Sequence, residues 1–395
     1  MAVRIDNHGA ERFFQGVADQ LPLSQLSHLF LLHWPQHLPT PLTLMNNGAG
    51  ESGFRGFGVA GRVSLARVMA KELQSTASLE VVCAGTPDSR DGHRILLHDH
   101  PTAHQPATRI LAELPQGREA QDRLIHNALT ALSHSGEEGA ELLLFGTKDG
   151  GIVSAAKRWK PSNTRLSRGH LRLLAIPANA TVIARKPRKT RPHAPVTQEQ
   201  DGFFHYGYRD LSIATLPGVF SWRSIDPASH LLLETLEGNS ALDTGTLLDW
   251  GCGAGVIGAT LARRHPALQV TLSDDLFSAV CCARRTLESN GLVPSDAASR
   301  CTVIAEDGLG PLFSGQRFDT IVTNPPFHRG TRSDYETARR FLSHSRDYLS
   351  LHGHLHLVGN RFLDYGPLMR AAGLARVKSL AENERYAVWT GKRHR

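Results

Sequence analysis

Short apolar runs alternate along the chain with longer segments whose apolar residues lie three or four positions apart. Runs of the first kind predict buried strands, and segments of the second kind predict amphipathic helices. In the first half, strands are predicted at 29–32, 42–45, 79–83, 94–97, 141–145 and 171–176, and helices at 60–73, 120–132 and 152–159. Such an alternation of strands and helices is typical of a doubly wound sheet.

The same alternation continues in the second half of the chain. Strands are predicted at 211–216, 246–249, 269–274, 300–305, 318–322, 353–358, 374–380 and 386–390, and helices at 227–236, 256–264, 333–349 and 367–372. We therefore expect an α/β protein made of two tandem Rossmann-like, doubly wound domains. The length of 395 residues agrees with this, because single hydrophobic cores usually stop growing below that size.

Residues 185–200 separate the two halves. They contain three prolines and a dense cluster of charges without apolar periodicity, which predicts an extended linker. We expect one domain at 1–184, a linker at 185–202 and a second domain at 203–395.

The composition is that of an ordinary soluble globular protein, with 41% hydrophobic and 21% charged residues. The sequence has no apolar run long enough to span a membrane and no signal-peptide pattern at its start. The five cysteines form no CxxC pair, so a reduced, cytoplasmic setting is expected. His352, His354 and His356 are joined by no cysteine or carboxylate, so no metal site is expected.

Positive charge is concentrated in residues 157–191, which we call the basic stretch. It contains eleven lysines and arginines and no acidic residue. The whole chain has a net charge of +7, so the remainder carries a net charge of −4. Either a solvated linker or a phosphate-binding surface explains this pattern, and the sequence leaves both open.

A glycine-rich segment at 48–53 matches the G-x-G-x-x-G pattern of dinucleotide-binding folds. Residues 54–58 are predicted to continue as a loop, so these glycines do not open a helix that could hold a pyrophosphate. We therefore expect no nucleotide to bind at this segment.

A second glycine-rich turn, at 250–255, lies between a predicted strand and a predicted helix. Its three glycines permit positive φ and a close approach of a ligand to the backbone. Asp274 ends the next strand, where an acidic residue accepts hydrogen bonds from a ribose diol. Asp249 precedes the turn, where it would repel a pyrophosphate and attract an ammonium, which favours S-adenosylmethionine over NAD. Residues 306–307 end a third strand and are suitably placed for the adenine amino group.

The segment Asn324-Pro325-Pro326-Phe327 follows a fourth predicted strand, and its prolines end that strand stiffly. The Asn324 side-chain carbonyl and the Pro325 backbone carbonyl can both accept hydrogen bonds from one amino group. Phe327 offers a flat face for a planar ring. This chemistry suits the exocyclic amino group of a heterocyclic base or an amide.

Taken together, D-x-G-C-G-x-G at 249–255, Asp274 and the Asn-Pro-Pro-Phe segment resemble class I S-adenosylmethionine-dependent methyltransferases that act on an amino nitrogen. The stretch Leu-Pro-Gly-Val-Phe-Ser at 216–221 and His328 narrow the resemblance to ribosomal RNA guanine-N2 methyltransferases. The chain is most similar to the small-subunit (RsmC) type, while residues 358–365 are similar to the large-subunit (RlmG) type.

This resemblance implies a catalytic carboxyl-terminal domain with a seven-stranded sheet and an amino-terminal domain that is a degenerate copy of the same fold. It implies S-adenosylmethionine as cofactor, and ribosomal RNA or a ribosomal subunit as partner of a monomeric enzyme. The catalytic residues would be Asn324, Pro325 and Phe327. The cofactor-binding residues would be Asp249, Gly251, Cys252, Gly253, Gly255, Asp274, Asp307 and Phe220.

The implied reaction is a direct in-line displacement in which guanine N2 attacks the sulfonium methyl group without a general base. Two other functions remain open at the level of sequence. Asn-Pro-Pro followed by an aromatic residue also suits the amide of a protein glutamine, and the basic stretch also suits a non-catalytic RNA-binding factor.

Overall fold

The computed structural model describes residues 7–19, 28–31, 41, 57–60, 80–83, 94–97, 108–134, 136–182, 197–198, 202–293, 300–325, 339 and 342–394. The chain divides into two compact units, Met1–Thr190 and Arg191–Arg395. The division falls within residues 185–202, the segment predicted to be a linker. Each unit is described by itself below.

The amino-terminal unit is built on an eight-stranded sheet. Its strands, with two short ones outside the sheet, are β1 (His28–Leu31), β2 (Phe57–Ala60), β3 (Glu80–Cys83), β4 (Arg94–Leu97), β5 (Arg109–Glu113), β6 (Glu141–Thr147), β7 (Trp159–Lys160), β8 (Asn163–Arg168), β9 (Leu171–Pro177) and β10 (Thr181–Val182). The described helices are α1 (Asn7–Ala18), α2 (Arg118–Ser133) and α3 (Ile152–Arg158). The sheet order is β3-β4-β2-β1-β5-β6-β9-β8, and all pairs are parallel except those of β9 with β6 and β8.

Apolar side chains of α2 and α3 pack on the sheet and form the described core of this unit. Ile110 on β5 and Leu142 and Leu144 on β6 are fully buried, and Ile125 and Ala128 of α2 lie in the same cluster. This burial agrees with the continuous apolar runs that parallel strands covered by helices require.

Most of the predicted elements in this unit are present, and two predictions need comment. Phe57 and Gly58 belong to strand β2, so the prediction of a loop there was wrong; a four-residue strand containing a glycine gives little apolar signal. Helix α1, strands β5 and β8, and the short strands β7 and β10 were not predicted. The predicted strand at 42–45, the glycine-rich segment at 48–53 and all but the first residue of the predicted helix at 60–73 lie outside the described residues.

The carboxyl-terminal unit contains a seven-stranded sheet and a small three-stranded one. Its strands are β11 (Thr197–Gln198), β12 (Phe204–Tyr208), β13 (Leu211–Thr215), β14 (Thr244–Trp250), β15 (Ala267–Asp274), β16 (Cys301–Ala305), β17 (Phe318–Thr323), β18 (Leu349–Asn360), β19 (Ala375–Glu382) and β20 (Tyr386–Lys392). The described helices are α4 (Pro227–Thr235), α5 (Val256–Arg264), α6 (Phe277–Ser289) and α7 (Tyr365–Ala371), with 3-10 turns at Ser240–Leu242, Pro311–Phe313 and Ser345–Tyr348.

The order of the large sheet is β16-β15-β14-β17-β18-β20-β19. Strands β14 to β18 run parallel, and β20 is inserted antiparallel between β18 and β19. This is the predicted seven-stranded, doubly wound sheet. When β3 is set aside, the strands of the amino-terminal sheet follow one another in the same spatial order.

The central strands of this sheet are buried on both faces. Leu247, Leu248, Ile321 and Val322 are all fully buried. Trp250 lies opposite Ser273 on one neighbouring strand and opposite Thr323 on the other. The carboxyl ends of β14, β15, β16 and β17 therefore lie along one edge, which is where open α/β sheets bind ligands.

Sequence patterns located most of these strands to within a few residues but missed β11, β12 and α6. Strand β11 lies within the segment predicted to be a linker, where its two residues pair with β12. Trp250, predicted to begin the turn, is the last residue of β14. The described part of the capping-box helix predicted at 333–349 is limited to Arg339 and residues 342–349, of which 345–348 form a 3-10 turn. Among the described residues, no helix is both long and apolar enough to cross a membrane.

Candidate cofactor and acceptor site

The glycine turn after β14 adopts a conformation that favours glycine. Gly251, Gly253 and Gly255 have φ values of 74°, 55° and 80°, in the left-handed region. A Cβ atom at Gly255 would lie 3.1 Å from the Cα of Ala283, so this glycine lets α5 start close to α6. A Cβ atom at Gly251 or Gly253 would meet nothing within 4 Å, which leaves open space over the turn.

The turn is held by the end of the neighbouring strand β15. The backbone N–H groups of Gly251 and Cys252 both donate to the carbonyl of Ser273 at 2.9 Å. Asp274 accepts at one carboxylate oxygen from Gly253 N–H (2.9 Å) and at the other from Leu276 N–H (2.8 Å). Each carboxylate oxygen has a second lone pair, so Asp274 retains the capacity to accept from a ribose hydroxyl.

Asp249 is fully buried beneath the glycine turn. Its Oδ2 accepts from the N–H of Gly258 at 2.8 Å, while its Oδ1 has no hydrogen-bond partner in the described protein. Burial raises the pKa of Asp249 to about 7; the Gly258 hydrogen bond opposes this and the charge of Asp274 adds to it. A buried carboxylate with an unsatisfied oxygen favours a cation nearby. The Asp249 side chain is therefore not part of the solvent-exposed surface of the turn.

The remaining sequence-predicted residues around the turn differ in exposure. Cys252 is buried, and burial together with the negative charges of Asp274 and Asp249 raises the pKa of its thiol well above the usual value, so it is no nucleophile. Glu306 is buried and accepts from the N–H groups of Asp307 (2.7 Å) and Leu312 (3.0 Å). These hydrogen bonds stabilise the loop that follows β16. Asp307 is exposed just beyond the end of β16.

Strand β17 delivers the Asn-Pro segment to the same edge of the sheet. Thr323 donates from its hydroxyl to the carbonyl of Trp250 at 2.7 Å, which ties the end of β17 to the start of the glycine turn. Asn324 is half-buried and Pro325 is buried. Phe327, predicted to stack on the acceptor, lies outside the described residues.

The Asn324 side chain is held by residues that sequence patterns did not identify. Its Nδ2 donates to Asp226 Oδ2 and to Ser229 Oγ, both at 2.9 Å. Asp226 is the N-cap of α4, and Pro227 follows at the first helical position. The Asp-Pro pair is a sequence signal for a helix start, but it carries no information about a contact with a residue 98 positions away.

Phe220 lies in the bend that follows β13, where Val219 N–H donates to the carbonyl of Leu216 at 3.0 Å. Phe220 is 58% exposed. Thr286 of α6 connects this part of the unit to the glycine turn, because its hydroxyl accepts from Ala214 N–H (3.0 Å) and donates to the Ala254 carbonyl (2.9 Å). Thr286 was also missed by sequence analysis.

The histidines on β18 form a stacked pair. The rings of His354 and His356 are 6.0 Å apart and nearly parallel, and burial lowers the pKa of His356 to about 4. Within the described ranges, no group of three or more His, Cys, Asp or Glu residues is arranged to hold a metal ion.

Known proteins are similar to this chain in sequence and in fold. Residues 210–390 match the family model of the methyltransferase small domain. The T. thermophilus 16S rRNA N2 G1207 methyltransferase (RsmC), solved in complex with AdoMet and guanosine, has a similar fold, with a TM-score of 0.69 at 20% identity over 97% of this chain and 92% of that chain.

Curated relatives cover a large share of the sequence. The ribosomal RNA small subunit methyltransferase C of Pseudomonas paraeruginosa is 37% identical over 289 residues, which are 71% of this chain and 77% of that protein. The protein of the same name from Stutzerimonas stutzeri is 34% identical over 282 residues, with the same shares covered. The chain therefore belongs to the ribosomal RNA small subunit methyltransferase C family.

Proposed function

We propose that this chain transfers a methyl group from S-adenosylmethionine to the exocyclic N2 of a guanosine in small-subunit ribosomal RNA. One observation carries the proposal: the Thr323 hydroxyl bonds to the Trp250 carbonyl at 2.7 Å. The cofactor turn begins immediately after Trp250, and the acceptor segment begins immediately after Thr323. A methyl donor on the turn and an amino acceptor at Asn324 thus start from adjacent positions, as direct transfer requires.

The residues around the turn fit S-adenosylmethionine. The open space over Gly251 and Gly253 suits a ligand that lies against the backbone. The unsatisfied oxygen of Asp249 suits the ammonium of the methionine part, and Asp274 suits the ribose hydroxyls. Asp307 is the exposed carboxylate proposed for the adenine amino group. We assign Cys252 and Gly255 to shaping the turn, and Phe220 to covering the bound cofactor.

When bound, the cofactor supplies a methyl group already activated by its sulfonium. The protein has to place guanine N2 in line with that methyl–sulfur bond. The Asn324 carbonyl and the Pro325 backbone carbonyl accept the two amino hydrogens, which aims the nitrogen lone pair. In that arrangement the N2 lone pair would form the N–C bond as the C–S bond breaks, with the C–S electron pair leaving on sulfur and the surplus proton passing to water. Positioning of this kind can lower the activation free energy of a reaction by on the order of 7–11 kcal/mol when the reactants are well oriented.

The guanine has to be unpaired to reach such a site, because its N2 is otherwise engaged in base pairing. We assign Phe327 to stacking on the exposed base, which contributes about 1–3 kcal/mol to binding in other single-strand sites. The relatives are small-subunit ribosomal RNA methyltransferases, which supports small-subunit RNA as the substrate. We propose that the enzyme works as a monomer in the cytoplasm.

We further propose that the amino-terminal unit binds RNA through the carboxyl-terminal part of the basic stretch and has no cofactor site of its own. In the described part of the stretch, the arginines already have partners within their unit. Arg158 pairs with Asp122 at 2.9 Å, Arg165 pairs with Glu141 at 2.7 Å, and Arg168 and Arg172 bond to backbone carbonyls. The cations at 185–191 are therefore the better candidates for phosphate contacts.

Labelled methyl transfer to separated ribosomal subunits tests this function. Small and large subunits would be isolated from cells in which the gene for this chain is deleted, so that the target base is unmethylated. With tritiated S-adenosylmethionine, we expect label in the RNA of the small subunit and none above background in that of the large one. Label confined to the large subunit would instead favour the large-subunit guanine-N2 activity.

A further inference from the structure

The amide of Asn324 is held in one of its two orientations by a helix terminus. Three N–H groups converge on the same oxygen of Asp226: those of Ala228 (3.0 Å) and Ser229 (3.2 Å) from the backbone, and the Nδ2 of Asn324 (2.9 Å). The hydroxyl of Ser229 takes the other hydrogen of the Asn324 amide, also at 2.9 Å. Both hydrogens of that amide are therefore used within the protein.

The identity of these partners decides which end of the amide faces the substrate. An asparagine side chain can usually turn over, because its oxygen and nitrogen have nearly the same shape. The Asp226 carboxylate accepts hydrogen bonds and cannot donate any, so the NH₂ end of Asn324 must face it. Turning the amide over would lose this bond and set two oxygens against each other. The Ser229 hydroxyl both donates and accepts, so it does not select an orientation by itself.

The position of Asp226 strengthens this selection. Asp226 caps α4, so its carboxylate is held by two backbone N–H groups at the positive end of the nine-residue helix. It is thus anchored before any substrate arrives. The Asn324 carbonyl is left as the end of the amide that does not bond to Asp226 or Ser229, and it can only accept hydrogen bonds.

We propose that Asp226 is a positioning and specificity-determining residue, which makes Asn324 an acceptor-only group and so selects an amino group over a keto oxygen at the reacting position. The inference rests on the proposed function, because it assigns Asn324 to the acceptor amino group. It extends that function with the N-cap residue of α4, which lies outside the Asn-Pro-Pro-Phe segment. The chemical class selected is a planar base or amide that presents NH₂ rather than C=O.

The capping role of Asp226 can be separated from its role toward Asn324. Serine caps helices about as well as aspartate but is shorter, so Asp226→Ser should keep α4 and lose the bond to Asn324. We expect kcat for methyl transfer to fall roughly tenfold or more, with little change in the S-adenosylmethionine Kd or the melting temperature. Asp364 caps α7 in the same way, through Gly366 N–H at 3.0 Å, so Asp364→Ser is the matched control and should leave kcat near the wild-type value.

A double-mutant cycle distinguishes positioning from a general structural effect. If Asp226 acts through Asn324, then Asp226→Ser should have no further effect on kcat when Asn324 is already alanine. Asp226→Asn is the second variant, because it keeps both size and cap. The side-chain oxygen of this asparagine can still accept from Asn324, so Asp226→Asn should lower kcat less than Asp226→Ser does. Its NH₂ group can also donate, so the orientation of Asn324 is no longer fixed and some loss of kcat is expected. This loss should also vanish in the Asn324→Ala background.

The outcomes separate this inference from the proposed function. An inactive wild-type enzyme on unmethylated small subunits would argue against the proposed function itself. An active wild-type enzyme with unchanged kcat in both Asp226 variants would overturn the positioning role alone. Equal losses with and without the Asn324 side chain, or an equal loss in Asp364→Ser, would likewise overturn it.

Discussion

The backbone N–H of Gly253 donates to the carboxylate of Asp274 at 2.9 Å, so the residue assigned to the cofactor ribose also holds the cofactor turn. The other oxygen of the same carboxylate caps the backbone at Leu276, one residue before α6 begins. If Asp274 binds the ribose as proposed, it couples the shape of the turn to the recognition of the cofactor.

Replacing Asp274 with alanine should weaken S-adenosylmethionine binding by about 1–3 kcal/mol, because hydrogen bonds to a charged acceptor are lost. Titration calorimetry measures this directly. Asp210→Ala is the control, since Asp210 is 68% exposed in the turn before β13 and pairs only loosely with Arg263, at 3.4 Å. Unchanged affinity in Asp274→Ala, or tight binding of NAD by the wild-type protein, would contradict the assignment.

Asp249 should make cofactor binding depend on pH. Its pKa of about 7 means that the carboxyl is mostly protonated at pH 6 in the free protein. An ammonium at its unsatisfied oxygen favours the charged form, so binding should release close to one proton at pH 6 and fewer at pH 7.5. Affinity should rise by up to about tenfold per pH unit below pH 7. Calorimetry in buffers with different ionisation enthalpies counts the released protons.

Asp249→Asn supplies the control for this linkage, because it cannot titrate. The raised pKa of Asp249 also determines whether stability rises or falls with pH. The carboxyl binds its proton more tightly in the folded protein than in the unfolded one, so this group lowers the stability of the cofactor-free protein as pH rises from about 4 to about 7. Proton release that persists in Asp249→Asn would assign the linkage to another group.

Asn324→Ala should lower the rate of methyl transfer by roughly 100-fold or more while leaving S-adenosylmethionine affinity nearly unchanged. The reason is that Asn324 aligns the acceptor nitrogen in the transition state and is not assigned to the cofactor. Single-turnover kinetics with saturating RNA measure the transfer step without product release.

Phe327→Ala gives the contrasting case for the same segment. It should mainly weaken RNA binding, by about 1–3 kcal/mol, through lost stacking on the base. Near-wild-type single-turnover rates in Asn324→Ala would mean that the acceptor segment does not align the reaction.

The basic stretch should contribute to RNA affinity in a salt-dependent way. Each phosphate neutralised on single-stranded RNA contributes about −0.7 to the slope of log K against log salt concentration. Replacing Lys186, Arg188, Lys189 and Arg191 with alanine should therefore weaken RNA binding and flatten the slope, with cofactor affinity unchanged. The charge-preserving exchange of lysine for arginine and arginine for lysine at these positions is the matched control. An unchanged slope in the alanine variant would leave residues 185–191 as a solvated linker.

The strands that deliver the site were predictable because parallel strands buried on both faces give continuous apolar runs. Leu247, Leu248, Ile321 and Val322 are examples, and each is fully buried. The glycine turn was predictable for a local reason as well, since positive φ at Gly251, Gly253 and Gly255 strongly favours glycine at those positions.

Contacts between segments that are distant in the chain gave no comparable pattern in the sequence. Asp226 and Asn324 meet because α4 and the end of β17 are brought together by packing, and neither residue type is unusual at its own position. The hydroxyl of Thr286 joins β13 to the glycine turn through a helix that was not predicted. The complete burial of Asp249 was also hidden, because a residue at the end of a strand is usually expected to face the ligand.

The central claim is that the methyl group is attached to the exocyclic N2 of guanine, and the chemical identity of the labelled product tests it most directly. RNA from small subunits treated with the enzyme and tritiated S-adenosylmethionine would be digested to nucleosides and separated beside authentic standards, while the subunit proteins are hydrolysed in parallel. The account predicts that the label co-elutes with N2-methylguanosine and that the protein fraction carries none. Label in another nucleoside, or in N5-methylglutamine from the protein fraction, would contradict it.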